Sequence, residues 1–313
     1  MLNKELKEKN FISAVVYVRN NENNIVEFLT QINDWLRNKF LSYEIICVND
    51  DSKDKSVEKI KDFAANAEGE IISILNMSYF QGVEQSRHAG VDLAIGDFVY
   101  EFDSTTISYP LELLKNVYDK CLSGFDIVSA YPKNSGHKQS FIFYNLFNFN
   151  FDSIYKLRTE AFRILSRRAI NRVQAMSDSI PFRKAVYANC GLKSAGIEYN
   201  SLKEIPHTIA KEREKQHEIA INALILYTNI SYKFAMGIAG IIFLCTILTA
   251  IYTCYVYFTG KPVRGWTTTM LFLSFGFFAI TSVLTILIKY TSLILNIVFN
   301  KQKYIVESIE KLK

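Results

Sequence analysis

Phe11-Ile12-Ser13-Ala14-Val15-Val16-Tyr17-Val18-Arg19-Asn20-Asn21-Glu22-Asn23-Asn24 is the stretch that decides the fold. Phe11–Val18 is a short, charge-free, β-branched run, the pattern of a strand buried on both faces. Arg19–Asn24 is turn and helix-capping chemistry. Ile25, Phe28, Leu29, Ile32, Trp35 and Leu36 then recur at helical spacing, so a helix with one apolar face follows. The unit repeats downstream. Strands are expected over Tyr43–Val48, Ile71–Met77, Asp97–Asp103 and Asp126–Tyr131, alternating with helices over Ser52–Ala65, Val83–Ile95 and Pro110–Leu122. Such alternation predicts an α/β domain, a mostly parallel sheet covered on both faces. Ligands bind such sheets beyond the carboxyl ends of the strands. Three of those ends carry acidic or amide groups: Asn21-Glu22, Asn49-Asp50-Asp51 and Asp103. Singly, each is an ordinary helix cap; together they suggest a polar pocket for a nucleotide.

Several function classes find no support. No GxGxxG follows the first strand and no GxxxxGK[ST] occurs, so neither a dinucleotide enzyme nor a P-loop NTPase is indicated. Cys47, Cys121, Cys190, Cys245 and Cys254 are scattered without metal or disulfide spacing. His88, His137, His207 and His217 are isolated and read as packing or surface residues. The net charge of +5 gathers near the chain's apolar end, with no basic, aromatic-interleaved stripe for nucleic acid.

Two uncharged apolar runs, Phe234–Phe258 and Trp266–Ile288, close the chain. Each exceeds the roughly 20 residues a helix needs to cross a bilayer. The short link Thr259–Gly265 makes them a hairpin with both ends on one side. Lys211, Arg213, Lys215 and Lys233 precede the first run, and Lys289, Lys301, Lys303, Lys311 and Lys313 follow the second. The link carries only Lys261 and Arg264, so the positive-inside rule places the large domain and both termini in the cytoplasm. The charged N-terminus has no apolar core of a signal peptide. The expected organisation is a soluble domain over 1–210, an interfacial segment over 211–233, spans over 234–258 and 266–288, and a cytoplasmic tail over 289–313. His217–Tyr232 is apolar but too mixed to cross, and suits an interfacial helix or one packed beneath the domain.

Asn49-Asp50-Asp51-Ser52-Lys53-Asp54 resembles the (D/N)DGSxD segment of family 2 glycosyltransferases with the GT-A fold. Ser86-Arg87-His88-Ala89-Gly90, then Ala94-Ile95-Gly96-Asp97 through Asp103-Ser104-Thr105, resembles their aRn.G...A.Gdyi...DxD stretch, and Asn21-Glu22 matches their NE. Phe162-Arg163-Ile164-Leu165-Ser166-Arg167 and the two apolar runs are similar to bacterial polyprenyl-phosphate glycosyltransferases, relatives of dolichol-phosphate mannosyltransferases. The resemblance implies an inverting transfer of one sugar from a UDP- or GDP-linked donor to polyprenyl (undecaprenyl) phosphate at the cytoplasmic membrane. An oligosaccharide-lipid acceptor, a catalytically silent member and a homo-oligomer stay open.

Site roles follow from the same resemblance. Asp50 would hydrogen-bond the base, Glu22 and Ser52 would secure the nucleoside, and Arg87 would neutralise the diphosphate. Asp103 would contact a divalent cation (Mg2+ or Mn2+) or the ribose. Thr105 stands where the family has its second DxD aspartate, and Glu101, two residues before Asp103 and on the same strand face, is the candidate replacement. Ala161 replaces an aspartate before the FR pair, with Glu160 one position earlier. A phosphate monoester is already ionised near neutrality (second pKa about 6), so a base matters less than fixed positive charge. Arg163, Arg167 and Arg168 are suited to bidentate phosphate contacts, Arg163 foremost.

Overall fold

The computed structural model describes residues 7–67, 71–133, 144–145, 147–149, 156–176, 183–202, 230–260, 265–298 and 304–313. The interfacial segment expected over 211–233 lies almost wholly outside them. The chain divides into an α/β body, which includes its last residues, and a pair of long helices.

In the body, β1 (Ile12–Val18), α1 (Ile25–Lys39), β2 (Tyr43–Asn49), α2 (Ser56–Asn66), β3 (Ile71–Met77), α3 (Val83–Leu93), β4 (Phe98–Phe102) and α4 (Glu112–Leu122) follow the alternation read from the sequence. Then come β5 (Ile127–Pro132), β6 (Phe162–Ser166), α5 (Arg167–Met176), α6 (Arg183–Asn189) and β7 (Ser194–Tyr199). One eight-stranded sheet results, in the order β7-β5-β6-β4-β1-β2-β3-β8. Strands β4, β1, β2 and β3 are mutually parallel, whereas β6 runs antiparallel between β4 and β5. The order reverses between β1 and β4: β2 and β3 lie on one side of β1, and β4 returns to the other. That reversal opens a crevice at the strands' carboxyl ends.

The last strand, β8 (Val306–Lys311), corrects the expected cytoplasmic tail. It pairs antiparallel with β3, Asn76 opposite Ser308 and Leu75 opposite Ile309, and so forms the edge of the sheet. The backbone N–H and C=O of Ile305 bond the side-chain amide of Gln81, at 2.8 and 2.5 Å. Asn76 donates to Ser308 and Glu310, and Lys61 pairs with Glu310 at 2.6 Å. These hydrogen bonds complete an edge that β3 would otherwise expose.

Alternation decides which helix covers which face. Ile12, Ala14, Val16 and Val18 join Phe28, Leu29, Ile32, Ile60, Leu114 and Val117 in the main core, beneath α1, α2 and α4. The intervening residues of β1 and β2 face α3, which comes unusually close. A Cβ on Gly90 would stand 2.4 Å from Val15 Cγ1 and 2.7 Å from Val48 Cγ2. Gly96 is equally confined, 2.6 Å from the Ser13 nitrogen and 2.9 Å from the Phe11 carbonyl. Both motif glycines are therefore packing residues.

The helical pair, α7 (Ile230–Thr259) and α8 (Trp266–Val298), encloses both apolar runs. Each has a stretch of mean hydropathy 2.4, long and apolar enough to cross a membrane, with large side chains such as Phe234, Phe258 and Phe272 uncovered. The helices contact one another through Phe243 against Phe278, Tyr252 against Trp266, and the Thr246 hydroxyl on the Ser274 carbonyl.

Candidate functional site

The loops after β1 and β2 are laced together. Asn20 and Asp51 take positive φ, 48° and 56°, as short polar side chains can. Asn20 N donates to Ser52 Oγ and Lys53 N to Asn20 Oδ1. Glu22 N donates to Asp54, while Lys55 N donates to the Glu22 carboxylate. Although partial burial opposes it, hydrogen bonds from Ser56 and from the Glu22 and Ser56 backbone hold Asp54 below the usual carboxylate range. Asp50 is fully buried: its two oxygens accept from Gln81 N at 2.7 Å and Gly82 N at 2.8 Å, and Tyr17 donates at 3.1 Å. Asp50, Glu22 and Ser52 thus stand at the crevice edge; both Asp50 oxygens are taken up by the loop, whereas Glu22 and Ser52 brace the loops and stay half-buried. Arg19 adds a guanidinium over the Phe80 ring, 3.7 Å from its centre.

Beside this wall, Glu101 of β4 and Asp103, the residue just past its end, stand two apart and on one side, as strand alternation requires. Glu101 lies directly opposite Arg163 of β6, which gathers a buried array of acids and bases. Arg163 Nε is 3.3 Å from Glu101, and Nη2 is 2.8 Å from Glu160. Arg183 Nη1 reaches the other Glu101 oxygen at 2.8 Å. From α3, Arg87 bridges Glu84, at 2.8 Å, and Asp103. Lys184 Nζ stands 3.4 Å from the Tyr144 hydroxyl and 3.9 Å from Asp103. Asp103, with 21% of its side chain exposed, is the most accessible of the four acids; Glu101 has 1%.

Charge balance sets the protonation states. Burial alone would raise Asp103 and Glu84, but Arg87 faces both, and each is held below its ordinary value. Burial would lower Lys184, yet its Tyr144, Glu160 and Asp103 neighbours raise it. Arg163 is likewise raised against burial, chiefly by Glu160 and Glu101.

Several expected roles need correction. Glu101 cannot serve as a free metal ligand, because two guanidiniums flank its carboxylate. Thr105 is buried and lines a cleft of about 270 Å3 with Asn24, Phe28 and Tyr109, among which none of the charged array appears. Asp103 is left as one accessible carboxylate facing two cations, and no group of three potential ligands occurs among the described residues. This donor set does not fit Mg2+ or Mn2+. Arg167 is not a phosphate ligand either, since it binds the Gly96 and Ala94 carbonyls and fastens the turn before β4. Arg168 is 70% exposed and paired with Asp126. Sequence reasoning missed Glu84, Arg183 and Lys184; Glu84 lies one helical turn before Arg87, the signal that could have found it. His88 is packing, edge-on to Tyr304 at 5.5 Å.

The mixed sheet, with a charged array beside its switch point, has the GT-A arrangement of glycosyltransferase domains. The chain belongs to Glycosyl transferase family 2, whose model matches residues 13–183, more than half its length. It is similar to an uncharacterised glycosyltransferase of Synechocystis sp., 28% identical over 59% of this chain and 59% of that protein. The bactoprenol glucosyl transferase of Shigella phage SfV is 24% identical over 82% of this chain and 84% of its own. In fold, the body resembles glucosyl-3-phosphoglycerate synthase of Mycobacterium tuberculosis, solved with phosphoglyceric acid: TM-score 0.50, 11% identity, 69% of this chain and 79% of that one.

Proposed function

We propose that the protein transfers one sugar from a nucleotide-sugar donor to polyprenyl phosphate at the cytoplasmic face of a membrane, with inversion at the anomeric carbon. The observation that carries this reading is a buried cationic array at the switch point of a family 2 body, in a chain that also presents an uncovered apolar hairpin. Similarity to the phage bactoprenol glucosyl transferase, over more of the chain than the family domain, supports a lipid phosphate as acceptor.

The chemistry follows from charge. An ionised lipid phosphate attacks the anomeric carbon from the face opposite the departing nucleoside diphosphate, forming a glycosyl–phosphate bond as the donor bond breaks. No base is needed to create the nucleophile. Two anions must nonetheless meet, and Arg163, Arg183, Lys184 and Arg87 supply the fixed positive charge, preorganised where water is excluded. Glu160 holds Arg163 in place, and Asp103 stands at the mouth.

The test is transfer by purified protein in detergent, from radiolabelled UDP- and GDP-sugars, to undecaprenyl phosphate or to a lipid-diphosphate saccharide. The expected product is an acid-labile lipid monophosphate sugar. Transfer to the saccharide alone would replace the acceptor proposed here; turnover on neither acceptor would remove the activity.

A further inference from the structure

The array deepens that reading in a way the family pattern does not anticipate. Glycosyl transfer from a nucleotide donor leaves a diphosphate whose charge must be met, and the DxD pattern meets it with a metal. Here position 105 is Thr and faces another cleft, Glu101 is flanked by two arginines, and Asp103 faces Arg87 and Lys184. A dication at Asp103 would stand beside two fixed positive charges, which oppose it.

The same geometry suits an anion. Arg163 and Arg183 are each 2% exposed. Despite their ion pairs, Nε and Nη2 of Arg163 and Nε and Nη1 of Arg183 have no acceptor in hydrogen-bonding geometry among the described residues. Buried guanidinium N–H groups without an aligned acceptor are costly to leave so, and diphosphate oxygens would satisfy them. Among the described residues, Lys184 has no carboxylate closer than 3.9 Å. We propose that the donor diphosphate is held by Lys184, Arg87, Arg163 and Arg183 without a divalent cation, and that Asp103 is the resident anion it displaces from Arg87 and Lys184.

The proposal rests on the nucleotide-sugar reading of the site, and one experiment separates the two. UDP and GDP are titrated calorimetrically into the full chain in EDTA, in Mg2+ and in Mn2+. One of them is expected to bind with the same Kd in EDTA as with either metal. Lys184→Gln, verified by its melting curve, should weaken that binding about tenfold through loss of a charge-assisted contact. Asp103→Asn should bind in EDTA at least as tightly as the parent, because the competing anion is gone. Binding that needs Mg2+ or Mn2+, or that Asp103→Asn abolishes, overturns the metal-free clamp and leaves the glycosyltransferase reading standing. Failure of both nucleotides under every condition overturns both.

Discussion

Gly90→Ala tests whether the family-motif glycine is there for packing. The added Cβ would lie 2.4 Å from Val15 Cγ1 and 2.7 Å from Val48 Cγ2, where carbon atoms settle at about 3.5–4.0 Å. Both valines belong to central strands, so α3 must withdraw from the sheet by about 1 Å, or a valine must leave its rotamer. Two effects compete. Alanine gains about 1 kcal/mol over glycine in a helix interior. Overpacking a filled core costs about 1–3 kcal/mol, and a clash with two fixed strands belongs near the upper end. The net expectation is a loss of about 1–2 kcal/mol, or a drop of about 2–8 °C in Tm for a body of this size. Melting followed by the fluorescence of the full chain in detergent measures it. Val15→Ala alone also destabilises, by at least about 1.6 kcal/mol for its lost methyls. With Gly90→Ala it should cost less than the sum, because one half of the clash is gone; a coupling of about 1 kcal/mol is expected. A Gly90→Ala protein that melts at or above the parent, with additive double-mutant effects, would falsify the close-packing argument.

Three further outcomes are expected. Glu101→Gln should cost about 3 kcal/mol or more in chemical denaturation, since it leaves two buried guanidiniums without their shared counter-ion; a change under 1 kcal/mol would contradict the role given to Glu101. Asp103 and Glu84 have folded pKa values depressed below their unfolded ones, so their stabilisation is present above the ordinary carboxylate range of about 4 and is lost as pH falls through the lowered folded values. Unfolding free energy should therefore hold steady from pH 7 to 5 and fall below about pH 4, and a decline already complete at pH 5 would contradict it. Asp50→Asn replaces one of two acceptor oxygens with a donor, leaving the Gln81 or Gly82 amide unmatched at a cost of about 1–3 kcal/mol. Hydrogen exchange at those two amides should quicken, and unchanged protection there would refute the assignment.

Much of the body was legible because its signals are local. Phe11–Val18 reads as a strand from composition alone, and the two-residue spacing of Glu101 and Asp103 is enough to put them on one face. Asp51 stands at the glycine of the (D/N)DGSxD pattern, and its φ of 56° is one that a short polar side chain tolerates. What local pattern could not supply was what faces what across the sheet. Asp50 and Glu22 carry the right chemistry at the right strand ends, yet backbone amides of neighbouring loops take up their carboxylates. Arg183 and Lys184 reach the array because the start of α6 lies against Glu84 of α3 and Glu101 of β4, and nothing in Arg183-Lys184-Ala185-Val186 announces that. The segment 289–313 reads as a tail because Lys289, Lys301, Lys303, Lys311 and Lys313 satisfy the charge rule beside an apolar run.

The position of β8 also orders events during synthesis. The strand that closes the outer edge of β3 lies downstream of both apolar helices, so the ribosome releases it only after they have emerged. Until then the nascent sheet keeps an unpaired hydrogen-bonding edge, the surface through which chains join improperly. Maturation of the water-facing body is thereby tied to disposal of the greasy segments.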